Sequence, residues 1–361
     1  MKPRPTRAHS KPAPPKRLTK LLLSHECAPG DTVVLTAFVR DLALTYPHVR
    51  IGLNKMHAPD IFKNNPYITL DKLHRDDPDT FLYTADYGTG LRAQNTKTVH
   101  FLRYFHDMFE KDTGIPVPTL QPWPDLHLSQ QEREISPVAG PYWVVLPGGK
   151  TDMPAKVWRA SAWQQVVDEL AGKFGLRFVQ LGSTSGDCWN PPLRNTLNLV
   201  GRSNLRDMLQ LIYHAEGVIC GITSAMHMAA GLQKPCVVIA GGREAWWWEA
   251  YVNENRGFGS HASGTFTVPH RYLHTIGLLD CCATHGCWKA RVHALDHAPK
   301  GKPHPKNVCK YPEDMDTIPQ PRCLNLITVR HVVEAVLSYY EDGTLPWKNT
   351  EIPLYLPSVT T

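Results

Sequence analysis

Unbroken apolar runs alternate with helical spacing along most of the chain. Residues 19–25 (TKLLLSH) form a short apolar run that ends in a Cys-Ala-Pro-Gly turn, the pattern of a buried strand. The next segment, DTVVLTAFVRDLALTY, keeps helical spacing until Pro47, and VRIGL at 49–53 reads as a second strand. A strand–turn–helix–strand unit of this kind predicts a parallel sheet. FLYTADY predicts another strand, and VHFLRYFHDMFEK a helix whose aromatics belong to a core. A polar, Pro-rich stretch follows, and then the alternation resumes. YWVVLP, LRFVQLG, GVICGI and PCVVIAG read as strands, and SAWQQVVDELAGKF, NLRDMLQLIYHA and SAMHMAAGL as helices. From about residue 243 the pattern breaks into aromatic, His-rich and Cys-rich sequence, closed by a helix at 327–341.

This organisation predicts an α/β protein of two Rossmann-like domains facing a cleft, the place where open parallel sheets bind ligands. The divisions are a basic tail at 1–18, a first domain at 19–120, a linker at 121–140, a second domain at 141–341 containing a Cys-rich module at 281–323, and a tail at 342–361.

Composition adds limits. Apolar residues make up 42% and charged residues 20%, enough for a real core. The formal net charge of +6 lies partly in the first twenty residues. That arm has no apolar stretch after its charges, so it does not read as a secretory signal. It suits contact with an anionic partner, lipid headgroups or nucleic acid, or serves as a solubilising tail. No run approaches the roughly 18 apolar residues that span a bilayer. The expected location is the cytoplasm, with peripheral contact at the inner membrane as a variant. Five of the nine cysteines fall between Cys281 and Cys323, and in a reducing compartment such a cluster points to metal more than to disulfides.

Four segments carry candidate chemistry. Gly30-Asp31 sits at a strand-to-helix turn, where a carboxylate can act as a general base or simply stabilise the helix start. In PGGKTDMPAKVWRASAWQQVV, Gly148 and Gly149 allow close backbone approach, and Lys150 or Lys156 offers a point charge to a diphosphate. In HAEGVICGITSAMHMAAGLQKPCVVIAGG, Thr223, Ser224 and His227 begin a helix whose N-terminus suits an anion, although His227 alone fits a structural role as well. Gly241-Gly242-Arg243-Glu244 then leads to Trp246, Trp247 and Trp248, which suit stacking on a base or packing against the Cys-rich segment. Finally, four of Cys281, Cys282, Cys287, Cys309 and Cys323 can close a tetrahedral zinc or iron site. Cys281 and Cys282 are adjacent and cannot easily both face one ion, so one of them should be a spectator.

These segments resemble glycosyltransferase family nine, the ADP-heptose heptosyltransferases. The resemblance rests on GDTVVLTAFVRDLALTYPHVRI, on the Lys156/Trp158 segment, and on Thr223, Ser224, His227, Ala229, Ala230, Lys234 and Pro235. It departs at Ile222, where the family carries Asp, and at Ser224, where it carries Gly. The Cys-rich segment resembles the iron-binding finger of autotransporter heptosyltransferases. The resemblance implies an inverting GT-B enzyme with its acceptor domain first and its nucleotide-sugar domain second. Asp31 would be the base. Gly148, Gly149, Lys150, Lys156, Thr223, Ser224, His227, Gly242 and Trp246 would lie around an ADP-sugar. A lipopolysaccharide glycan is the implied acceptor, with protein or nucleic acid as alternatives, and an oligomer is permitted.

Overall fold

The structure is a computed structural model that describes residues 18–86, 97–293, 307–314, 316 and 318–347. The basic arm at 1–17 and the end of the C-terminal tail lie outside the described residues, as does part of the Cys-rich segment.

The first sheet has three parallel strands, β1 (Lys20–His25), β2 (Arg50–Met56) and β3 (Thr80–Thr84), in the order β2-β1-β3. Helix α1 (Pro29–Thr45) links β1 to β2. Its residues are buried without interruption from Thr32 to Leu42, which an ordinary surface helix cannot do. The cause is double coverage, since α1 packs on α2 (Phe101–Thr113) and also on a helix of the second domain.

A buried polar network fixes the chain that leaves the first domain. Arg40 Nε donates to Asp41 Oδ1 at 2.8 Å, and His106 Nε2 lies 2.9 Å from Asp41 Oδ2. The Arg40 guanidinium also donates to the carbonyls of Gln121 and Trp123 at 3.0 and 2.8 Å. Charges this deep are tolerated because each is partnered. Further along, α3 (Gln130–Glu134) presents Glu132 to Arg206, 2.5 and 2.6 Å away, and this contact holds the Glu132 carboxyl down to about 2.

The second sheet has six parallel strands: β4 (Trp143–Leu146), β5 (Phe178–Gln180), β6 (Thr196–Asn198), β7 (Gly217–Gly221), β8 (Cys236–Gly241) and β9 (Arg271–His274). Their order is β9-β8-β7-β4-β5-β6. β4, β7 and β8 are buried throughout, as parallel strands covered on both faces must be. Alternate residues point to opposite layers. Trp143, Val145, Ile219 and Ile239 join α4 (Ala160–Phe174) and the closing helix at Val329–Glu341. Val144, Val218 and Val238 join α5 (Leu205–His214), α6 (Ser224–Gly231) and the apolar residues of the first domain in one continuous core. The two sheets are therefore joined by packing as well as by the chain. Among the described residues no helix is long and apolar enough to cross a membrane.

Candidate functional site

The N-termini of α1 and α6 meet where the two sheets face each other. A Cβ at Gly30 would lie 3.3 Å from the His227 ring and 3.4 Å from Ser224 Cα, so glycine is what lets the helices touch here. Each helix start carries N–H groups with no intrahelical partner and the positive end of a dipole. Thr223, the residue before α6, makes no capping bond, and its buried Oγ1 has no hydrogen-bond partner among the described residues. Asp31 is the third residue of α1, and its Oδ2 accepts from Ala28 N at 2.9 Å. The helix-capping reading of Asp31 is therefore real, and it does not exhaust a carboxylate.

Beside this junction lies a buried charge cluster. Lys156 Nζ sits 2.7 Å from Glu244 Oε1, and Arg243 pairs with the same oxygen. Glu244 is 1% exposed, and the Lys156 side chain is largely buried, with about a quarter of its surface open. Removal from water, with Arg243 beside it, pushes the Lys156 ammonium well down, and burial pushes the Glu249 carboxyl up. The charge of Asp31 is felt at both groups. His227 Nδ1 bonds to the Tyr251 hydroxyl at 2.8 Å. Burial, with Lys156 nearby, lowers His227 to about 3, so it is a neutral structural ring near neutral pH.

The other expected donor residues make the following contacts. Lys150 is exposed on a two-residue ribbon paired with Cys188–Trp189, beside Asp187. A Cβ at Gly148 would strike Asn190 and the Trp189 carbonyl at 2.0 and 2.2 Å, and one at Gly149 would meet Val157 at 2.9 Å. Local packing thus accounts for both glycines. Trp246 stacks on His274 with ring centres 6.2 Å apart. Trp247 Nε1 donates to the Lys97 carbonyl at 3.0 Å. Trp248 is buried on Phe101 and Trp288, which places it between the first domain and the Cys-rich segment.

Gly242 serves the cysteines. A Cβ there would come within 2.8 Å of Cys282 Sγ. The Cys287 amide donates to the Gly242 carbonyl at 3.3 Å, and the Trp288 amide to the Arg243 carbonyl at 2.9 Å. The Cys-rich segment is thus bonded to the loop that carries Arg243 and Glu244. Cys281, Cys287, Cys309 and Cys323 line one cavity of about 10 Å³, room for a single atom. Arg243, Lys289, Lys310 and Arg322 also line it, a cationic wall suited to excess thiolate charge. Burial pushes the Cys281 and Cys323 thiols up to about 12 in a metal-free setting. Cys282 does not line that cavity, and its Sγ donates to the Thr275 carbonyl at 3.5 Å.

Sequence reasoning missed Glu249 and Tyr251 and gave no role to Arg243 or Glu244. The one available signal was the Arg-Glu pair directly after Gly241-Gly242, charges in a loop that follows a fully buried strand.

Solved structures of similar fold include the glycosyl transferase family 9 from Veillonella parvula DSM 2008, at 12% identity over 92% of this chain and 100% of that chain, TM-score 0.54. The iron-containing dodecameric glycosyltransferase TibC from enterotoxigenic E. coli H10407 matches at 17% identity over 90% of this chain and 77% of that one, TM-score 0.53. E. coli ADP-heptose LPS heptosyltransferase II matches at 14% identity over 91% and 100%, TM-score 0.51. No curated protein matches the chain in sequence. The likenesses in structure establish the fold, a two-domain α/β GT-B architecture. The sequence model of glycosyltransferase family 9 (heptosyltransferase) matches residues 87–268, just over half of the 361 residues. The chain accordingly belongs to glycosyltransferase family 9 and is a glycosyltransferase.

Proposed function

We propose that the protein transfers a heptose from an ADP-activated donor to a glycan hydroxyl, with inversion and with Asp31 as general base. The observation that carries this reading is the meeting of two helix N-termini beside Lys156, which feels the charges of both Asp31 and Arg243. TibC, of similar fold, has also been solved in complex with ADP-D-β-D-heptose. Asp31 removes the proton as the acceptor oxygen attacks the anomeric carbon and the diphosphate leaves. The departing charge meets Lys156, Arg243, the Thr223 hydroxyl and the first N–H groups of α6. In the ligand-free protein Glu244 and Glu249 balance these cations, and the donor phosphates take over that task.

This exchange gives two expectations. Lys156→Ala should weaken ADP binding roughly 10- to 100-fold, the size of a lost charged hydrogen bond. Arg243 stays with Glu244, so folding should survive. Calorimetric titration with ADP checks this, and unchanged affinity would remove Lys156 from the donor site. The second concerns protons. Above neutral pH the lowered Lys156 is partly deprotonated and the raised Glu249 is ionised. A bound diphosphate raises both groups, so binding should take up protons and tighten as pH falls from about 8.5 to 6.5. Titrations in buffers of different ionisation heat measure the uptake, and proton release would contradict the exchange.

Cys281, Cys287, Cys309 and Cys323, which line one cavity, would hold one zinc or iron ion after their sulfurs draw together, since among the described residues they do not form a group within 4.8 Å. Such an ion would supply a cross-link that holds the Gly242–Glu244 loop in place. With all four positions taken by thiolates it would have no part in bond making.

A further inference from the structure

We infer that the turn between β1 and α1 is a second cation site, of the zinc class, made by His25, Cys27 and Asp31. His25 ends β1, Cys27 lies in the turn, and Asp31 is in the first turn of α1. The reversal of the chain brings a ring nitrogen, a thiol sulfur and a carboxylate oxygen within 4.8 Å of one another.

His25 is the stronger half of the argument. It is fully buried, and its Nδ1 lies 2.7 Å from the Ala85 carbonyl. A carbonyl only accepts, so Nδ1 carries the hydrogen and Nε2 keeps a lone pair. Nε2 is buried with no hydrogen-bond partner among the described residues. Leaving such a nitrogen unsatisfied costs about 1–3 kcal/mol. One nitrogen anchored to a backbone carbonyl and the other left to coordinate is the usual state of a metal-binding histidine. Phe105 meets the ring edge-on at 5.6 Å and fixes its plane.

The ligand set selects the ion. One nitrogen, one sulfur and one oxygen suit zinc, and three protein ligands leave a coordination position for solvent. A tetrahedral zinc with bonds of roughly 2.0–2.3 Å spaces its ligand atoms about 3.5 Å apart. Binding an ion would therefore draw the Cys27 sulfur and one Asp31 oxygen inward by about 1 Å toward the fixed His25 ring. The site is separate from the four-cysteine cavity in sequence and in fold. Its consequence rests on the proposed role of Asp31: an ion here occupies the carboxylate that would accept the proton, so excess zinc acts as a brake on transfer.

The test reads binding rather than transfer. Zinc chloride is titrated calorimetrically into the protein as purified, with the four-cysteine cavity loaded, for wild type, His25→Gln and Cys27→Ser. The wild type should take up one further equivalent, and each variant should bind it at least about 10-fold more weakly. Cobalt(II) in place of zinc should give a thiolate charge-transfer band that Cys27→Ser abolishes. Cys27→Ser, at a partly exposed position, keeps the test alive should His25→Gln unfold. No further equivalent in wild type, or equal uptake by Cys27→Ser, would overturn the site. Failed uptake would leave the role of Asp31 in transfer intact, and normal transfer by Asp31→Asn would leave zinc uptake intact.

Discussion

Asp31→Asn should lower the rate of sugar transfer by about 10²–10⁴-fold, the usual effect of losing a general base. The structure makes this a clean substitution. The Asp31 carboxylate accepts from Ala28 N at the start of α1, and an asparagine oxygen can accept the same bond. Helix capping is therefore kept while basicity is lost, so the melting temperature should move little. ADP release from ADP-heptose, with and without acceptor glycan, reads the rate. Near-normal turnover would leave Asp31 with its capping role alone.

Cys309→Ser should have the second large effect, on stability and donor affinity together. Cys309 lines the four-thiol cavity, and metal-binding energy in such a module is folding energy. The loss should reach about 3 kcal/mol or more, roughly 6–12 °C in melting temperature for a domain of this size. The structure adds a consequence that the cysteine spacing alone does not contain. Cys287 and Trp288 donate to the carbonyls of Gly242 and Arg243, and Arg243 and Glu244 set the charge balance around Lys156. Collapse of the module should therefore weaken ADP binding as well. Elemental analysis should find one equivalent of zinc or iron in wild type and markedly less in the variant. Cys282→Ser is the control, because Cys282 faces Thr275 and should keep the metal. Equal metal content in wild type and Cys309→Ser would sink the assignment.

What was legible in the sequence follows physical lines. The central strands could be read because burial on both faces demands unbroken apolar runs, as in VVL at 144–146 and CVVIAG at 236–241. The edge strands Thr196–Asn198 and Arg271–His274 could not, being short, partly exposed and without apolar periodicity. The Gly30-Asp31 turn was visible, but its contact with Ser224 depends on how two distant segments pack. Local pattern places Thr223 and Ser224 at a helix start, whereas Glu249 joins the charge cluster only through the chain's path after β8. The adjacent Cys281 and Cys282 lead to the expectation that one is a spectator, and the contact of Cys282 with the Thr275 carbonyl is visible only in the fold. Glycine was the least readable residue. At Gly148, Gly149 and Gly242 an added Cβ would meet Asn190, Val157 and Cys282, packing contacts that the sequence pattern does not reveal.

The central claim is that this chain uses an adenine-linked heptose donor held at the junction of α1 and α6. The most direct measurement is a binding titration of ADP-heptose against UDP- and GDP-sugars on the wild-type protein. The account predicts one ADP-heptose site per chain, displaced by ADP and left untouched by the uridine and guanosine donors. Tight binding of a UDP-sugar with none of ADP-heptose would contradict it.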